Sequence, residues 1–175
     1  MAKKVIGESI GDMSDLTTPS STRKYALGKI VTVEDDDYQV RQQFIYVKSH
    51  TTLTAYQPYV LNYGSTAGAE VVTAAPLTNS APGSQVVVPQ VAFTSGYYGF
   101  VQIEGDCKAL MTTETYALGD ILQLVTAATT LVVDGSTGST TWSTGQQCAI
   151  CREAGSTAVA RKIYLIHKLS TIAAS

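Results

Sequence analysis

At 175 residues the chain has room for one domain, or a compact domain with an arm, and for a core that needs no disulfide or metal staple. Only 15% of its residues are charged, well under the usual quarter, their place taken by Thr, Ser, Gly, Ala and Gln. Such a surface suits a part packed against neighbours, or an extracellular one, better than a free cytosolic enzyme. With a net charge of −2 and scattered Lys and Arg there is no basic stripe to neutralise phosphates, so direct nucleic-acid binding is not expected.

No stretch approaches the length of a membrane span. The opening Met-Ala-Lys-Lys-Val-Ile-Gly-Glu has no apolar run behind its lysines, so it does not read as a signal peptide, and folding in a cytoplasm is expected. Three cysteines, an odd number, give no disulfide framework.

Residues 1–24 lack sustained periodicity and carry Gly7, Gly11, Pro19 and a Ser/Thr cluster. Two readings stand: a frayed terminus, or an extended arm that orders only against a partner. From Tyr25 onward the signals are those of strands, so 25–175 is read as a single β-barrel or β-sandwich domain. Residues 27–33 are β-branched and run into the acidic turn Glu34-Asp35-Asp36-Asp37. Residues 38–48 form a long second strand, and the two make a hairpin. Further strands are expected at 59–63, 69–74, 85–93, 98–104, 108–112, 120–125, 130–133, 147–152 and 162–169. Val, Ile, Thr and Tyr dominate them, and Gly, Pro, Asn or Asp fills nearly every gap.

Helical pattern is confined to a turn or two at 52–56, ended by Pro58. Residues 75–84 and 134–145 read as exposed loops, the second with Trp142 folded back on it. Short strands at such spacing indicate an all-β fold, a compact antiparallel barrel or sandwich.

One internal echo stands out. Tyr25-Ala26-Leu27-Gly28-Lys29-Ile30 recurs as Tyr116-Ala117-Leu118-Gly119-Asp120-Ile121, each time opening a strand. Gly allows the tight bend and Ala-Leu plugs the end of the core. Convergence on one turn type and duplication of a half-barrel both account for it.

No residue pattern in the chain nominates catalytic, cofactor or metal residues. The two histidines, His50 in a polar segment and His167 alternating with Leu165 and Leu169, read as surface or strand-face imidazoles. No Gly-x-Ser-x-Gly elbow and no phosphate-cradling Gly loop is present. Cys148-Ala149-Ile150-Cys151 has the spacing of half a zinc site, with Cys107 and a histidine as further ligands. It lies in a strand-like run rather than on a Gly or Pro knuckle. There, positions i and i+3 face opposite sides, so two small core residues are the expected reading. The Glu34–Asp37 run supplies hard oxygen ligands for calcium but lacks the spacing and Gly of a calcium loop; a solvated hairpin tip is expected. Of the ten tyrosines, Tyr56, Tyr59, Tyr97 and Tyr98 fit a sugar-binding or interface platform, or simply half-buried strands.

The segment 25–31, its acidic turn and Phe44-Ile45-Tyr46-Val47-Lys48 resemble the opening of small capsid decoration (cement) proteins of tailed bacteriophages. So does Gly99-Phe100-Val101-Gln102-Ile103-Glu104-Gly105, followed by 117–122. The resemblance covers about a third of the chain. It implies a virion protein on the outer capsid surface with the major capsid protein as partner. It also implies a homo-oligomer, with a trimer favoured, that stabilises the expanded lattice by binding it, and no cofactor or catalytic role. The 1–24 segment is the candidate contact. Alternatives are another phage part (head–tail connector, tail or fibre component) and a carbohydrate-binding β-sandwich using exposed tyrosines.

Overall fold

In the computed structural model the described residues are 3–6, 10–35, 40–63, 70–73, 85–124, 129–134 and 146–166. They form eleven strands: β1 (Lys3–Ile6), β2 (Ile30–Asp35), β3 (Val40–Ser49), β4 (Tyr59–Tyr63), β5 (Glu70–Thr73), β6 (Gln85–Val87), β7 (Tyr98–Leu110), β8 (Ile121–Leu124), β9 (Val132–Val133), β10 (Gln146–Cys151) and β11 (Ala160–Leu165). The fold is all-β, as the residue pattern predicts. The strands join in one hydrogen-bonded order, β6-β4-β5-β3-β7-β11-β10-β8-β9, with β2 on β3 and β1 on β2. Each of these pairings is antiparallel except β3 with β5.

The thirteen residues of β7 organise the molecule, because its two halves belong to different rings of strands. The first half pairs with β3 and the second with β11. On one side β6 returns to β7 through Val88 and Gln102, which exchange both backbone hydrogen bonds (2.9 and 3.1 Å). Thus β3, β5, β4, β6 and β7 close on themselves. On the other side Leu131, just ahead of β9, accepts from Thr112 N–H and donates to Leu110 C=O, which closes β7, β11, β10, β8 and β9. Closure removes most of the open strand edge that a flat sheet would expose.

Alternation along each strand fills these rings. Ile45, Val47, Tyr59, Leu61, Val87, Val101 and Ile103 pack inside the first, with Leu53 and Phe93 at its end. Cys107, Ala109, Met111, Tyr116, Leu122, Leu124, Cys148, Ala149, Cys151, Ile163 and Leu165 pack in the second, joined by Val60, Val86 and Val88 from the outer side of β4 and β6. A third cluster covers the outer face of β2, β3 and β7. There Val31, Val33, Phe44, Tyr46 and Phe100 meet Ile10 and Leu16, with Met13, Tyr25 and Leu27 against them. The described part of 1–24 therefore finds its partners within its own chain. β1 pairs with β2 in register from Lys3–Asp35 to Ile6–Thr32, and a single 3-10 turn, Met13–Leu16, is capped by Asp12 accepting from Ser14 N–H. Ile10, Met13 and Leu16 recur every three residues, but over only two intervals, too short a run for the residue pattern to announce an element.

The Tyr-Ala-Leu-Gly echo has a structural meaning, and it is used four times rather than twice. In each case residue 5 of the motif donates to the carbonyl of residue 2: Lys29 to Ala26, Gln57 to Thr54, Tyr97 to Thr94 and Asp120 to Ala117, at 3.1–3.3 Å. Residue 4 takes a positive φ: Gly28 at 83°, Tyr56 at 65°, Gly96 at 79° and Gly119 at 90°. That is the signature of a type II turn. The N–H of residue 4 then docks on a neighbouring segment, at the carbonyl of Tyr46, Pro89, Ser49 and Cys151 respectively. Residue 1 is a core plug, half-buried for Tyr25 and fully buried for Leu53, Phe93 and Tyr116. Since the copies at 53 and 93 share no sequence with the other two beyond Gly96, convergence on one turn accounts for the echo.

Three expectations are corrected. The region 52–56 holds no helix; Leu53 instead pairs with Phe93 and the next residues make the second of the four turns. The strand expected over 85–93 stops at Val87 with one further pair at Val88, because Pro89 has no N–H to continue the ladder. The strands expected at 98–104 and 108–112 are one strand, which bends at Gly105 without breaking. The loop at 75–84 and all but Asp134 of the loop at 134–145, Trp142 included, lie outside the described residues.

Candidate functional site

The side chains named as possible chemistry fall apart from one another. His50 is exposed, and its backbone carbonyl accepts from Ser95 Oγ at 3.2 Å; His167 lies outside the described residues. Glu34 and Asp35 are in β2, opposite Arg41 and Val40, rather than in the turn, while Asp36 and Asp37 lie outside the described residues. Among the described residues no three His, Cys, Asp or Glu side chains converge as metal ligands would.

The cysteines need a correction. A bulge in β10 between Gln147 and Ala149 makes Cys148 the extra residue, and this turns Cys148 to the same buried side as Cys151. Both thiols, with Cys107, are free and sit in the second ring. Burial pushes the Cys148 thiol up to about 12 and raises Cys107 further, with Asp106 and Cys148 adding to the latter. Thiols held protonated in this way are poor nucleophiles.

The tyrosines do not form an exposed platform. Tyr59 is buried, its hydroxyl accepting from Thr54 N–H at 2.8 Å. Tyr98 is half-buried and stacks on Tyr46, with ring centroids 6.4 Å apart, and Tyr46 in turn contacts Tyr25 and Phe100. This aromatic group holds the 10–27 cover in place. Tyr25 donates to Asp15 Oδ2 at 2.6 Å and accepts from Gly11 N–H, while Lys24 Nζ binds Asp15 Oδ1 at 2.5 Å.

The bond from Lys24, then that from Tyr25, holds the Asp15 carboxyl below its usual range. A carboxyl depressed in the folded state stabilises above its unfolded value, about 3.9, and that contribution is lost as pH falls through the folded value. Acidification from about pH 4 downward should therefore loosen the cover. Amide exchange at Gly11 and Lys24, corrected for intrinsic rates, should speed up over that window. Asp15→Asn should show the fast exchange already at neutral pH; an unchanged profile in that variant would remove Asp15 from the account.

Two surface features remain, and both lie on the outer side of the second ring. Directly opposed residues run across it in rows. Ile121, Ile150, Tyr164 and Asp106 make one row; Lys162 and Lys108, opposed in β11 and β7, with Arg152 bonded to the Lys162 carbonyl, make the next. At one end Ile121 is 46% exposed and faces the half-buried Ile150, and the preceding turn presents Leu118 at 70% exposure. This is an apolar edge with no cover among the described residues.

At the other end a cleft of about 1040 Å³ opens. It is lined by Met13, Leu16, Val40 and Phe44 and by Asp106, Lys108, Arg152 and Lys162, with Gln90 and Tyr56 held beside the latter through bonds to the Lys108 and Leu110 backbone. Arg152 lies over the Tyr164 ring at 5.8 Å and pairs with Asp106 at 3.4 Å. Gln102 and Gln42 both donate to the Asp106 carbonyl, at 3.0 and 2.7 Å, and so fix the floor at the bend of β7.

Arg161, which residue patterns did not single out, is a structural pin. Its guanidinium donates to Ala154 C=O and Thr157 Oγ1 and stands 3.8 Å from Glu153. It occupies the space where a Cβ on Gly155 would fall, so a side chain at that position would have to displace the guanidinium from these bonds.

No protein-family model matches the chain, and no curated protein matches it. Among solved structures it is similar to the crystal structure of head fiber gp8.5 N base in bacteriophage phi29, with a TM-score of 0.46 and 11% identity, over 71% of this chain and 93% of that one. A likeness of this degree carries no argument about function.

Proposed function

We propose that the chain is a structural part of a tailed-phage particle: a decoration protein on the outer capsid surface that stabilises the lattice of the major capsid protein. It would act as a homo-oligomer, with a trimer favoured. The observation that carries this reading is the apolar edge of Leu118, Ile121 and Ile150. It is built on one of the turns that resemble decoration proteins, in a chain whose surface is otherwise poor in charge. Exposed apolar groups gathered beside a rigid sheet are what a protein–protein contact buries. Binding only the expanded lattice then stabilises that lattice by mass action.

The test is the copy number of the protein in purified particles, measured by mass spectrometry. A value in the hundreds fits lattice coating, about a dozen fits a portal or tail ring, and absence from the particle ends the reading. Leu118→Asp combined with Ile121→Lys should leave the fold intact, since Leu118 is largely and Ile121 about half exposed, and weaken capsid binding at least about tenfold (about 1.4 kcal/mol). Unchanged binding would move the contact elsewhere on the protein.

A further inference from the structure

The cleft beside the 3-10 turn has two properties that folding alone does not require. The first is charge. Lys108, Lys162 and Arg152 stand side by side against the single carboxylate of Asp106, on a chain whose net charge is −2. Arg152 is engaged by Asp106, whereas neither the Lys108 nor the Lys162 ammonium has a partner among the described residues.

The second is strain. Three of the four type II turns place glycine at the positive-φ position, while the turn at 53–57 places Tyr56 there, at φ 65°. Among the described residues it is the only non-glycine in that conformation, one that a side chain with a Cβ adopts at a cost. Tyr56 is also the residue of that turn that lines the cleft. Residues held in such conformations gather where a ligand needs them.

We infer that this cleft recognises an extended acidic segment of a partner protein. Its carboxylates would lie against Lys108 and Lys162, its apolar side chains against the half-buried Met13 and Val40, and Tyr56 would set specificity at the rim. The apolar lining favours a peptide with alternating apolar and acidic residues over a nucleic acid. Single strands are bound by a series of aromatic faces along a basic groove, whereas this lining has a single tyrosine and the Asp106 carboxylate interrupts its basic row. The residues of the cleft are distinct from those of the apolar edge, so the two sites can fail independently.

Fluorescence anisotropy tests this with three labelled probes on the full chain: a short peptide alternating leucine and glutamate, its leucine–glutamine counterpart, and single-stranded oligothymidine. The glutamate peptide should bind at least about tenfold more tightly than the glutamine peptide, and its affinity should fall with added salt. The double variant Lys108→Glu/Lys162→Glu should abolish binding, while Leu118→Asp leaves it unchanged. Tyr56→Gly should weaken binding with its urea midpoint unchanged or raised, since glycine relieves the strained position. A lowered midpoint would assign Tyr56 to packing and overturn its role. Failure of the glutamate peptide to bind, equal binding of the glutamine peptide, or tighter binding of oligothymidine overturns the assignment. So does self-association of the free protein that the double lysine variant abolishes, which would give the cleft to a second copy of the chain.

Discussion

Gly105→Ala is expected to cost on the order of 4 kcal/mol of folding stability and to lower the urea midpoint sharply. Gly105 is where β7 passes from one ring of strands to the other, and two separate costs meet there. Its φ of 92° belongs to a region that an L residue enters at about 1–2 kcal/mol. A Cβ on it would stand 2.2 Å from the Arg41 carbonyl oxygen and 3.0 Å from Gln42 Cα, both backbone atoms of the paired strand β3. Backbone in a sheet has no rotamer with which to step aside, so β3 or β7 must shift, adding about 1–3 kcal/mol or more. The sum, on the order of 4 kcal/mol, is a large share of the stability of an ordinary domain.

Gly96→Ala is the control. It has a comparable φ of 79° but no atom within 4 Å of the added Cβ, so only the conformational cost, about 1–2 kcal/mol, applies. Urea unfolding followed by far-UV circular dichroism should rank the two clearly. Equal midpoints would show that the close approach of β3 contributes nothing.

Gly105 also shows where a residue-level reading stops. Strand existence was legible almost everywhere, because β-branched runs bounded by Gly, Pro or Asp state it locally: 59–63 is recovered residue for residue, and the expected hairpin forms, although its first strand begins at Ile30 rather than 27 and takes in Glu34 and Asp35. What the pattern could not convey was whether a Gly ends a strand or bends it. Gly105-Asp106 has the composition of a turn, and only the two flanking strands, distant in sequence, hold it extended. The bulge at Cys148 is of the same kind: a one-residue slip against β8 decides which side each cysteine faces, and no local signal announces it.

For the 1–24 segment, the burial of Ile10 and Leu16 depends on an aromatic surface assembled from β3 and β7, again invisible nearby. The surface sites follow the same logic. Lys108, Arg152 and Lys162 are scattered in sequence and become a row only through strand register. Tyr56 is unusual only once the four turns are superposed.

Phe93→Ala should be the most damaging of the core truncations, at about 3–5 kcal/mol. The ring is 1% exposed at the end of the first ring of strands, and the structure around it is built to its shape. Gly99, across from it in β7, has no side chain because a Cβ there would lie 2.7 Å from the Phe93 ring. Leu53 holds the other side through two backbone hydrogen bonds of 3.0 Å with Phe93 itself. These bonds couple the second turn to the third, so neither can close over the space left by the ring. Incomplete collapse is what carries a truncation to the top of its range.

The same geometry makes the companion variant informative. Phe93→Leu keeps most of the apolar volume and should cost distinctly less than Phe93→Ala. Gly99→Ala in the wild-type background should be destabilising through its clash with the ring, yet nearly neutral when added to Phe93→Ala, where the clashing atoms are gone. A double-mutant cycle measured by urea unfolding should therefore show a coupling of about 1–3 kcal/mol between positions 93 and 99. Additive effects at the two positions would mean that the glycine is not there for the ring.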